Sequence, residues 1–136
     1  MTEGALAGKR VFVVGGETAL GRAVLIGLAE AGADIAIASL TADTKAEFAI
    51  NSALNELWAL GRKGIALAID AADVEQVRSA VERAERERGT LDLVVAAGEV
   101  ASEALDGRET IELTADADTD ADAGEALAKV VKRLSG

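Results

Sequence analysis

Leu6-Ala7-Gly8-Lys9-Arg10-Val11-Phe12-Val13-Val14-Gly15-Gly16-Glu17-Thr18-Ala19-Leu20-Gly21-Arg22-Ala23 decides the fold. The apolar run Val11 to Val14 breaks at Gly15-Gly16 and gives way to helical spacing at Leu20, Val24, Leu28 and Ala31, before Gly32 ends the helix with a left-handed cap. A strand that feeds a helix through glycines leaves the helix's free N–H groups and positive end at the turn. Glycine there permits a tight bend and the approach of an anionic diphosphate with no Cβ in the way.

Downstream, short apolar runs alternate with longer helical stretches, the pattern of a parallel sheet covered by helices. Ile35 to Ala38 is a second strand, and about Asp43 to Leu60 a second helix with Phe48, Leu54, Leu57 and Trp58 at roughly helical spacing, ended by Gly61. Ile65 to Ile69 is a third strand. Asp73 caps a third helix whose Val74, Val77, Val81 and Ala84 face inward and whose charged outer face offers i,i+4 pairs such as Glu82 with Arg86. Leu91 to Ala97 and Thr110 to Thr114 are the fourth and fifth strands, and Gly98 to Gly107 leaves room for about two helical turns. Leu127, Val130, Val131 and Leu134 mark a terminal amphipathic helix. The aspartates 116, 118, 120 and 122 lack the glycine turn and closing glutamate of a calcium loop and are taken as a solvated loop, with no metal site.

Composition narrows the chemistry. With 14 basic against 24 acidic side chains the net charge is −10, which disfavours nucleic acid and anionic membrane surfaces as partners. At 136 residues a single domain is expected. No apolar run approaches membrane-spanning length and Met1-Thr2-Glu3-Gly4 lacks a signal peptide's basic start, so a soluble cytoplasmic location is expected. The chain has no Cys, His, Tyr or Pro, which removes thiolate, imidazole and phenol chemistry and gives the composition an edited look.

At its glycine turn the sequence resembles the short-chain dehydrogenase/reductase family, whose turn reads T-G-x-x-x-G-x-G. Val14, Gly15, Ala19 and Gly21 stand at its Thr and three Gly positions. Asp70-Ala71-Ala72-Asp73 resembles the family's D-V-x-D, in which the Asp and its neighbour's backbone flank an adenine, and Gly89 to Gly98 resembles the segment ending N-N-A-G, without its asparagines. The resemblance runs from about Leu6 to Gly98 and implies a three-layer α/β Rossmann-like sandwich of about five parallel strands. Residues 1–98 would be its dinucleotide-binding half, and 99–136 a shortened or divergent strand and helix. It implies NAD or NADP as cofactor, lined by Gly15, Gly16, Ala19, Leu20, Gly21, Ser39, Asp70, Ala71 and Gly98. It also implies the strand order 3-2-1-4-5, where five such strands alone also allow 2-1-3-4-5.

The departures bear on activity. The family's Tyr and Lys one helical turn apart have no counterpart beyond Glu125 and Lys129, which suit an i,i+4 salt bridge, and Ser135 matches no catalytic serine. No catalytic residue is assigned. Glu17 is expected over the first helix's N-terminus, satisfying its amides and repelling phosphate. Ser39 and Leu40 stand where the family's ribose-binding acid would be, while Lys45 and Arg22 are candidate partners for a 2′-phosphate. Two readings remain: a non-catalytic dinucleotide-binding domain, and a minimised, recombined or designed scaffold without ligand. A receiver domain built on Asp70 lacks the acidic pair and the lysine it needs. The fifth strand's edge, with Ile111 and Leu113, or the terminal helix is the surface through which a homodimer would form.

Overall fold

A computed structural model describes residues 6–113 and 120–135, with side chains for 124–134 of the last stretch. Strands β1 (Arg10–Val14), β2 (Asp34–Ala38), β3 (Gly64–Leu67), β4 (Leu93–Ala96) and β5 (Thr110–Glu112) alternate with helices α1 (Ala19–Glu30), α2 (Thr44–Ala59) and α3 (Val74–Arg88), and α4 (Asp120–Ser135) closes the chain. All four strand pairings are parallel and the order is β3-β2-β1-β4-β5. That settles the topology in favour of 3-2-1-4-5. The α/β Rossmann-like sandwich is the observed architecture.

The alternation of strand side chains builds two cores. Val11, Val13, Ile35, Ile37, Leu93, Val95 and Ile111 face α1, α2 and α4. Phe12, Val14, Ala36, Ala38 and Val94 face α3 and a 3-10 turn at Ser102–Leu105, where Ala104 and Leu105 are buried. This single turn occupies the connection in which two helical turns were expected.

Several expectations need correction. The inward face of α2 is Ala46, Ile50, Ala53 and Leu57, while Phe48 and Trp58 are 77% and 58% exposed. The four buried residues recur at spacings of four, three and four and form one stripe, and Phe48 and Trp58 stand off it. In α3 the pairs are Arg83 to Glu87 at 2.8 Å and Arg78 to Glu75 at 2.6 Å, in place of Glu82 with Arg86. Glu85 pairs with Arg108, 2.6 Å away, which ties α3 to the segment before β5. On α4 the basic Arg133 reaches Glu109 at 2.7 Å, and Glu125 and Lys129 are both exposed without forming the expected bridge among the described residues. Val130 and Leu134 are buried, and α4 packs so closely on α1 that a Cβ on Gly27 would strike Leu127. Of the aspartate run, Asp116 and Asp118 lie outside the described residues, and Asp120 and Asp122 belong to the backbone of α4 rather than to a loop.

Candidate functional site

Strand order reverses between β1 and β4, so the connections after these strands diverge at their carboxyl ends, the position of the ligand crevice in open α/β sheets. Gly15 sits at that divide with φ +95, and a Cβ on it would lie 2.5 Å from the carbonyl oxygen of Ala97. Only glycine meets both demands. A Cβ on Gly16 would strike Ile37 and Leu25, and one on Gly21 would strike the Gly15 carbonyl. The turn is thus packed tightly against its own protein.

Thr18, not Glu17, caps α1. Its Oγ1 accepts from the Gly21 amide at 2.9 Å and donates to the Gly15 carbonyl at 2.8 Å. The Gly15 and Gly16 amides both donate to Ala38 O, at 2.8 and 3.2 Å, and the Thr18 amide donates to Gly15 O at 3.0 Å. Among the described residues the amides of Glu17, Ala19 and Leu20 donate to no protein acceptor. These three unpaired N–H groups mark the positive end of a twelve-residue helix, a setting that stabilises an anion. Ala19 is exposed beside them and Leu20 is buried.

The remaining candidate residues fall around the same crevice with differing capacity. Ser39 is fully buried, and its Oγ donates to Ile69 O at 3.2 Å and accepts from Ile69 N at 3.0 Å. Its one proton is spent on bracing the ends of β2 and β3, so this hydroxyl has none left to donate to a ligand. Ala71 is likewise committed: its N–H donates to Leu40 O at 2.9 Å and its carbonyl accepts from Ala101 N at 2.8 Å. The amide expected to flank an adenine is therefore used within the fold. Asp70 is exposed, with Oδ1 accepting from Ala72 N at 3.0 Å, and its second oxygen is free of protein donors among the described residues. Gly98, at φ +150, lies under Leu40, whose Cδ1 would be 2.6 Å from a Cβ there.

Glu17 was expected over the helix amides. It reaches instead to the far side of the crevice, where its Oε2 accepts from Leu40 N at 2.8 Å. Arg22, a candidate for a 2′-phosphate, is held at 2.7 Å by Glu56 and at 3.3 Å by Ser52 on α2, and Lys45 is an exposed side chain of the first turn of α2.

A family model described as short chain dehydrogenase matches residues 9–121. Hydroxysteroid dehydrogenase-like protein 2 of Bos taurus is 38% identical over 94 residues, covering 68% of this chain and 22% of that protein. The chain thus spans about a fifth of the length of the curated relatives of this kind that it matches. Among solved structures, a short chain dehydrogenase from Mycobacterium paratuberculosis bound to NAD superposes with a TM-score of 0.64 at 26% identity, over 72% of this chain and 39% of that one. A blue fluorescent protein from a metagenomic library, in complex with NADPH, gives 0.63 at 29% identity over 96% and 49%.

Proposed function

The chain belongs to the short-chain dehydrogenase family, and from that premise we propose that its first βα junction binds a nicotinamide dinucleotide, NAD or NADP, as a binding module without hydride-transfer chemistry of its own. The observation that carries this reading is the trio of unpaired amides at Glu17, Ala19 and Leu20, set at the N-terminus of α1 beside the strand-order reversal. A diphosphate is the ligand those groups stabilise. Gly15, Gly16, Ala19, Leu20 and Gly21 would cradle it through backbone atoms, with Asp70 and Gly98 bordering the adenosine end. The lack of catalytic chemistry rests on these 136 residues containing neither tyrosine nor histidine, so no phenol or imidazole can move the proton that accompanies hydride transfer.

A second reading, an inert scaffold of recombined or designed origin, is favoured by one observation. A Cβ on Gly15 or Gly21 would strike backbone atoms and one on Gly16 the buried Ile37 and Leu25 side chains, so packing alone accounts for these three glycines. Thermal melts with NAD+ and with NADP+ separate the two. A ligand at about a hundred times its Kd stabilises by about 2.7 kcal/mol, a rise of several degrees. No rise at millimolar concentrations of either leaves the scaffold. A homodimer through the edge strand β5 or α4 belongs to the proposal as well, and light scattering at twice 13.8 kDa would support it. A cytoplasmic location is in keeping with the absence, among the described residues, of any helix long and apolar enough to cross a membrane.

A further inference from the structure

The side chain of Glu17 leaves the glycine turn and ends at the carboxyl end of β2, a strand end 23 residues further along the chain. Its Oε2 is held by the Leu40 amide at 2.8 Å, whereas its Oε1 is buried and has no hydrogen-bond partner. A buried carboxylate oxygen without a donor is costly, and a ligand hydroxyl is one group that relieves the cost. The neighbours of Glu17 in this part of the fold are otherwise engaged. The Ser39 hydroxyl is spent on Ile69, Leu40 is apolar and lies on Gly98, and Arg22 is tied to Glu56 and Ser52.

We infer that Glu17, from the glycine turn itself, reads the adenosine ribose, so that the crevice takes a dinucleotide with free ribose hydroxyls and rejects one carrying a 2′-phosphate. The inference rests on the dinucleotide reading above and assigns its selectivity. An ionised carboxylate only accepts hydrogen bonds, and a vicinal diol donates them. A 2′-phosphate is itself acceptor-only at its ionised oxygens and carries about −1.5 to −2 charges, so it meets Glu17 as a like charge with no proton to share. In dinucleotide folds generally the ribose acid stands after the second strand. Here that strand end is Ser39-Leu40, and the acid arrives from the neighbouring turn.

Calorimetric titration of the whole chain with NAD+ and, in parallel, with NADP+ tests this. The wild type is expected to bind NAD+ at least roughly tenfold more tightly. Glu17→Gln keeps an acceptor for the Leu40 amide and the side-chain shape but removes the charge, and is expected to shrink that ratio about fivefold or more, mainly by a gain for NADP+. Glu17→Arg should reverse the preference. Equal affinities in the wild type, or a ratio unchanged in both variants, would overturn the inference while leaving dinucleotide binding intact. Absence of heat with both dinucleotides would overturn the underlying reading and this inference together.

Discussion

Replacing Gly15 by alanine should damage the fold before it affects any ligand. At φ +95 a side-chain-bearing residue is strained by about 1–3 kcal/mol. The new methyl would also lie 2.5 Å from Ala97 O, a backbone atom that cannot swing away. The Ala97 amide is bonded to Val14 O at 2.8 Å, so retreat of that segment would pull on the β1–β4 pairing. Overpacking of this kind costs typically 1–3 kcal/mol, so the two contributions together span about 2–6 kcal/mol, with a central value of about 4 kcal/mol. For a chain of this length the melting temperature should fall by roughly 10–15 °C, read by far-UV circular dichroism without ligand. A fall of under about 3 °C would show that β1 and β4 do not close on Gly15 as described. A larger substitution such as Gly15→Val is correspondingly unfit as a probe of diphosphate binding, because lost affinity would report lost structure.

Ala19→Gly is the better probe from the ligand's side. It removes an exposed methyl next to the unpaired amides, and NAD+ affinity should rise by roughly threefold or more at a stability cost of no more than about 1 kcal/mol; calorimetry that shows weaker binding would contradict the proposed cradle. On α2, Leu57→Ala should cost about 2–5 kcal/mol in urea unfolding and Trp58→Ala under about 0.5, since Leu57 is fully buried and Trp58 is 58% exposed; similar losses would refute the assignment of that helix's face. The Arg108 guanidinium, with help from the Leu91 amide, holds the Glu85 carboxyl below its ordinary 4.5. A carboxyl lowered on folding stabilises above its unfolded pKa and loses that contribution as pH falls through the folded value. Arg108→Met should therefore cost roughly 1–2 kcal/mol near pH 7 and clearly less near pH 3. Equal losses at the two pH values would mean that the pair does not couple to folding.

The elements carried by β-branched runs and by punctuating glycines were legible from the residues alone. Val11 to Val14, the Gly32 stop and the Asp73 cap stand in the structure as their chemistry dictates. Strand order was not, because both orders satisfy the same local pattern; the order implied by the glycine-turn resemblance is the one observed. The buried face of α2 follows the stripe Ala46, Ile50, Ala53 and Leu57, and the apolar bulk of Phe48 and Trp58 hides in the sequence that both stand off that stripe. At the crevice, the glycine positions were readable but their immediate cause was not. Which atoms a Cβ would meet depends on β1 lying between β2 and β4. The same adjacency brings Glu17 to Leu40 and commits Ser39 and Ala71 to internal bonds. These are contacts between segments distant in the chain, and no spacing rule encodes them.

An amide-resolved NMR titration of the isotopically labelled chain with NAD+ addresses the core of the account. Shifts concentrated at the Glu17, Ala19 and Leu20 amides, with Leu40 following and Trp58 silent at the opposite end of α2, are the predicted result. Unmoved resonances at those three positions under millimolar NAD+, or shifts gathered elsewhere on the fold, would contradict it.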